Sequence, residues 1–136
     1  MKIIYKNPRN ILDIVVYQPR TYKDNRGLFF ESYEKLKLAN IGINENFILD
    51  SSSYSKKNVL RGIHYSKNNQ QAQIVRVVQG RILDVIVDLR QNSKTFKKWF
   101  ALELSDNNNY HLYIPRGFGH GYYVLTERAR INYKTT

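Results

Sequence analysis

The most constraining stretch of the chain is RILDVIVDLR, Arg81 to Arg90. With the two-residue period of a β-strand, Leu83, Val85, Val87 and Leu89 share one face, while Ile82, Asp84, Ile86 and Asp88 share the other. A face that alternates Ile with Asp is unusual for a core and suits the inner wall of a barrel that holds a polar ligand. The runs around it are short and β-branched or aromatic: ILDIVVY, GLFFESY, FILDSSSYS, VLRGIHY, QIVRVV, KKWFALELS, YHLYIP, GHGYYVL and ARINYKT. Turn formers punctuate them. QPRTYKDNRG separates the first two runs, SDNNNY is built from residues that hydrogen-bond their own backbone, and VVQGRI puts Gly80 where a tight hairpin needs a positive φ. EKLKLAN, Glu34 to Asn40, is the one helical candidate, and it is short. The expectation is an all-β fold of antiparallel strands, a sandwich or barrel, with one short helix.

At 136 residues the chain amounts to one domain, 1–136, without repeats, linkers or low-complexity segments. A hydrophobic content of 42% with 13% aromatic residues is well clear of a disordered composition. The absence of cysteine excludes disulfides and thiolate metal sites and fits a reducing cytosol. MKIIYKNPRN lacks the apolar core of a signal peptide, and no apolar run approaches the ~18 residues of a membrane span, so no membrane association is expected. The net charge of +11 favours an anionic partner. The basic residues are nevertheless scattered, as in RTYKDNRG, YSKKN and KTFKKW, with no basic helix and no zinc-finger or RNA-binding signature. They read as solvated surface, and the anion as a small phosphorylated molecule rather than nucleic acid.

The chain has three histidines, and one of them, His64, sits in the strand-like VLRGIHY beside Arg61. A lone histidine on a strand is by default a structural hydrogen-bonder, and its surroundings decide otherwise only if they match a known site. Here they do. DNRGLFFES, VLRGIHY, VRVVQGRILDVIVDLR, SKTFKKWFALELS, LYIPRGFGHGYYVL and INYK follow one another in the order and spacing of the dTDP-4-dehydrorhamnose 3,5-epimerase family, which the chain resembles from about Tyr22 to its last residue. The resemblance implies a cupin-type jelly roll, a dimer, a nucleotide-diphosphate sugar as substrate, no metal or organic cofactor, and a cytoplasmic role in making rhamnose-type sugars for polysaccharides.

Inverting a carbon next to a ketone requires a base on one face, an acid on the other and donors for the enolate oxygen. By motif match His64 is the base, with a reference pKa of ~6.5, and Tyr133 of INYK is the acid, neutral at pH 7 with its O–H at the end of a rigid ring. Arg26, Phe29 and Glu31 of RGLFFE match the positions that hold the nucleotide, often from the partner subunit: an Arg for phosphate, a flat ring for the base. Arg61 is expected beside His64, holding the sugar or the diphosphate. His120, in PRGFGHG, is a further candidate for substrate binding, whereas His111 reads as structural. PRGFGH has the form of a cupin metal turn, but HYS stands around His64 where a metal-binding cupin carries HxH, so no metal site is expected.

The chain also departs from the family pattern. Where relatives read QAKLVRV it reads QAQIVRV, so Gln73 stands in place of the Lys that faces the C4 oxyanion. FILDSSSYS puts Leu49 and Ser51 in place of pocket amides. Relatives continue beyond YKTT with a carboxylate that orients the catalytic His, for which Asp84 and Asp88 are the substitutes on offer. Two readings therefore stand, an epimerase acting at C3, C5 or both, and a nucleotide-sugar-binding cupin that is weak or inactive as a catalyst. A ketoisomerase on the same scaffold is a further alternative.

Overall fold

The computed structural model describes residues 1–11, 13–68 and 71–136. The strands are β1 (Lys2–Lys6), β2 (Val15–Gln18), β3 (Thr21–Asp24), β4 (Gly27–Phe30), β5 (Leu49–Lys56), β6 (Leu60–His64), β7 (Gln73–Gln79), β8 (Arg81–Asp88), β9 (Trp99–Ser105), β10 (His111–Ile114), β11 (Phe118–Val124) and β12 (Arg128–Thr135). They form a six-stranded sheet in the order β1-β2-β10-β7-β12-β5, a four-stranded sheet in the order β6-β11-β8-β9, and the separate hairpin β3-β4. Every pairing is antiparallel, so the all-β expectation is met.

The period-two reading of β8 holds along its length. Ile82, Asp84, Ile86 and Asp88 are fully buried, whereas Leu83 on the opposite face is 40% exposed. The inward residues of both sheets, among them Val75, Val77, Ile86, Leu104, Leu112 and Ile131, interdigitate as one core. Each fully buried aliphatic side chain contributes about 1.5–3 kcal/mol of transfer free energy. A second cluster lies on the back of the six-stranded sheet, where Val15, Tyr17, Ile74 and Tyr113 meet Leu38 and Ile43. Leu38 comes from α1 (Lys35–Ala39), the short helix expected from EKLKLAN. Glu34 caps it, its carboxylate accepting from the N–H groups of Leu36 and Lys37 at 2.9 and 2.7 Å.

Strand boundaries differ from the sequence reading in several places, three of them near the N-terminus. KIIYK forms β1, an edge strand held by backbone pairing to β2 rather than by burial. In ILDIVVY the strand begins only at Val15, because Asn7, Arg9, Asn10 and Asp13 have positive φ and curl the chain before it. TYKD, read as turn, is β3: Asp24 accepts the N–H of Arg26 at 2.9 Å and closes the turn into β4.

Gly80 turns β7 into β8 with φ +83°, as expected. Gly62 is more demanding. It has φ +91°, and a Cβ there would lie 2.5 Å from the carbonyl oxygen of His120, so only glycine lets β6 lie against β11.

Two outcomes follow from this packing. Gly62→Ala will lower stability by about 1–3 kcal/mol from backbone conformation alone, before the clash is counted, in chemical denaturation. The second concerns His111, which is buried against Tyr17, its Nδ1 3.4 Å from the Tyr17 hydroxyl. Burial, reinforced by the Arg76 charge, pushes the imidazole down to about 3. Below pH ~6.5 the unfolded chain binds a proton at His111 that the folded protein refuses, so stability falls with pH from there toward 3, by at most about 1.4 kcal/mol per pH unit. His111→Gln will remove that share of the slope in denaturation measured between pH 7 and pH 4.

Candidate active site

A cavity of about 800 Å³ opens between the two sheets, a size that suits a small-molecule ligand. Two walls matter most. From the four-stranded sheet, β6 brings Arg61 and His64, and β11 brings His120 and Tyr122. From the six-stranded sheet come Ser51 and Ser53 on β5, Gln73 on β7 and Tyr133 on β12. His64 and His120 are direct partners in the β6–β11 register. The structure thus brings together five of the residues expected at the site: His64, Tyr133, Arg61, Gln73 and His120.

Tyr133 is half-buried, and its hydroxyl lies 2.8 Å from Ser53 Oγ. Burial pushes its pKa up, and the Ser53 hydrogen bond offsets this only in part, so the phenol carries its proton at neutral pH. His64 is exposed to the cavity, and among the described residues no side chain hydrogen-bonds its ring. This corrects one expectation, since neither buried aspartate of β8 serves His64. Asp84 Oδ2 lies 2.8 Å from His120 Nε2 instead. Asp88 accepts from Arg90, Ser93 and Thr95 at 2.6–3.0 Å. Burial pushes the Asp88 carboxyl up, but these hydrogen bonds outweigh burial and hold it well below the usual carboxylate range.

The His120–Asp84 pair is buried, and the His120 ring lies edge-on to Tyr133 with centroids 6.3 Å apart. His120 is thereby fixed against the ring of the candidate acid. Gln73 Nε2 donates to Gln71 Oε1 at 3.5 Å, a long contact that leaves the amide available to a ligand. Arg61 donates from Nε to Ser55 Oγ at 2.9 Å. Among the described residues no group of three or more His, Cys, Asp or Glu side chains is placed to hold a metal ion.

The nucleotide-side candidates stand apart from this cavity within one chain. Arg26 pairs with Asp24 on the β3–β4 hairpin, Phe29 is 65% exposed there beside Tyr22, and Glu31 pairs with Lys37 of α1. The sequence reading missed Ser53, Ser55 and Tyr122 as site residues. The signal for the two serines was present in LDSSSYS, where a period of two puts Leu49, Ser51, Ser53 and Ser55 on one face, a hydroxyl-bearing wall.

The arrangement puts an imidazole and a phenol hydroxyl on opposite walls of one cavity that amide and guanidinium groups also line. Residues 8–136 match the family described as dTDP-4-dehydrorhamnose 3,5-epimerase. A protein of that name from Salmonella typhimurium is 42% identical over 100% of this chain and 74% of its own length. One from Methanothermobacter thermautotrophicus is 39% identical over 90% of this chain and 66% of its own length. The chain thus spans about two thirds to three quarters of these relatives. Among solved structures, dTDP-4-dehydrorhamnose 3,5-epimerase from Bacillus anthracis superposes with a TM-score of 0.94 at 40% identity, covering 98% of this chain and 76% of that one. The Legionella pneumophila enzyme in complex with dTDP-4-keto-L-rhamnose gives 0.93 at 39% identity, covering 99% and 71%. On matched sequence and superposed fold alike, the chain belongs to the dTDP-4-dehydrorhamnose 3,5-epimerase family.

Proposed function

We propose that this chain epimerises a dTDP-linked 4-keto-6-deoxy sugar at C3 and C5, the two carbons flanking the ketone. The observation that carries this reading is that His64 and Tyr133 reach one cavity from different sheets. A sugar ring lying between the sheets presents one face to each, which is what inversion at carbon demands. His64 takes the proton next to the ketone, and the electron pair moves onto the C4 oxygen as an enolate. Tyr133 then breaks its O–H bond to form a new C–H bond on the opposite face. The exposed imidazolium returns its proton to water, and Tyr133 recovers one in the same way.

Gln73 donates to the C4 oxyanion with an amide N–H, and Arg61 holds the sugar or diphosphate. The nucleotide end falls to Arg26, Phe29 and Glu31 of a second copy of the chain, since the β3–β4 hairpin stands clear of its own cavity. A homodimer and a cytoplasmic location go with this reading, and the chain reads as one catalytic domain. Gln73 favours a second reading, a nucleotide-sugar-binding protein with little turnover, because a neutral donor faces the developing charge.

The first test is incubation with dTDP-4-keto-6-deoxyglucose in D₂O, following C3 and C5 by NMR. Deuterium at both carbons is expected, with the rate reduced by at least about 10²-fold in His64→Ala. Bound but unlabelled substrate would establish the second reading. Gln73→Lys will raise the rate about tenfold, since a charge-assisted hydrogen bond is roughly twice as strong as a neutral one.

A further inference from the structure

Behind Tyr133 runs a line of hydroxyl groups that the proposed reaction does not itself use. Tyr133 OH lies 2.8 Å from Ser53 Oγ, Ser53 Oγ lies 2.9 Å from Tyr122 OH, and Tyr122 OH lies 3.3 Å from Ser55 Oγ. At the far end Arg61 Nε donates to Ser55 Oγ at 2.9 Å. Ser55 and Tyr122 are each 3% exposed, Tyr122 only where it meets the cavity wall, so their protons are best spent on the neighbours just named.

Proton counting gives this line a direction. A guanidinium N–H only donates, whereas each hydroxyl donates once and accepts from others. Ser55 therefore accepts from Arg61, and its own proton needs an acceptor, which is Tyr122. Tyr122 in turn donates to Ser53, and Ser53 to Tyr133. In the opposite direction Ser55 would accept from both neighbours and leave a buried O–H unspent, an unfavourable arrangement. Only the first direction spends every buried proton, and it leaves one hydroxyl free to donate. That hydroxyl is Tyr133, at the cavity.

We propose that Tyr122 is a positioning residue, the link through which Arg61 orients the Tyr133 proton toward the sugar and steadies the phenolate once that proton has left. The proposal rests on the epimerase reading. In the step itself the Tyr133 O–H bond breaks, a C–H bond forms on the enolate, and the charge passes to the Tyr133 oxygen. That oxygen already accepts from Ser53, whose donor is aligned by Tyr122 and ultimately by a cation. Every hydroxyl of the line faces the right way before the reaction begins, so no reorientation is needed.

Tyr122→Phe tests this because it removes one oxygen and keeps the ring. The readout is the partition of the enolate in D₂O between substrate recovered with deuterium and its original configuration, and inverted product. Return of a proton to the original face needs His64 alone, and inversion needs Tyr133. Tyr122→Phe is expected to shift the partition toward retained configuration by about three- to tenfold, the worth of one hydrogen bond, with KM unchanged. Ser53→Ala is expected to do the same, and the double variant to lose no more than the larger single loss, because the two residues act in series. An unchanged partition in an active Tyr122→Phe protein, an equal fall in exchange and inversion, or additive losses would overturn the relay and leave the epimerase reading standing. A wild-type protein that neither exchanges nor inverts would overturn both.

Discussion

Two carboxylates point into the space between the sheets, and the sandwich closes only if each finds a partner. Asp84 and Asp88 on β8 are both fully buried. An unpaired charge at such a depth costs several kcal/mol, so the residues around them are dictated rather than chosen. Asp88 is met by Arg90, Ser93 and Thr95 from the chain that follows it, an arrangement that ties the loop after β8 to the strand itself. Asp84 is met by His120 from the neighbouring strand β11. Through this second pairing a requirement of the fold sets the geometry of the cavity. With His120 held by Asp84, β11 has a fixed register against β8, and its next inward residue is Tyr122. Against the other edge of β11 lies β6 with His64 and Arg61.

The cavity is therefore built outward from the core. β8 and β11 are central in their sheet and carry the buried Asp84–His120 pair, while His64, Arg61, Gln73 and Tyr133 lie on the strands beside and opposite them. This division explains why the same buried pair tolerates a neutral residue at position 73. Gln73 enters from β7 in the other sheet and its side chain hydrogen-bonds to Gln71 rather than to Asp84, Asp88 or their partners, so neither buried aspartate demands a cation there. The residue at position 73 can vary without disturbing the closure of the sandwich.

Much of this was legible in the chain. The alternation of Ile and Asp in RILDVIVDLR correctly reports the inner face of β8, because period-two patterning is a local property of a strand. Gly80 and EKLKLAN were legible for the same reason: their conformations are set by a few adjacent residues. The grouping of His64 with Tyr133 came only from matching motifs to a family, since they lie 69 positions apart and no periodicity connects them. What stayed hidden depended on pairing at a distance. Whether Asp84 would turn to His64 or His120 is decided by which strand neighbours β8, and β11 takes that place. TYKD looks like loop by composition and becomes a strand because its partner, GLFF, folds back on it.

β5 and β6 are consecutive along the chain, yet they end up in different sheets, each at an edge. The link between them turns at Asn58, with φ +64°, and crosses the seam of the sandwich. Each edge strand has hydrogen-bonded neighbours on one side only, and all five residues of β6 are exposed. A segment held by one ladder and little buried surface opens at lower free energy than the core it rests on. His64 thus rides on the part of the molecule that loosens first. On warming, the wall that carries His64 will part from β11 while β8, with its buried aspartates, and β9 remain closed, so the protein has a fading temperature for its cavity that lies below the melting temperature of its fold.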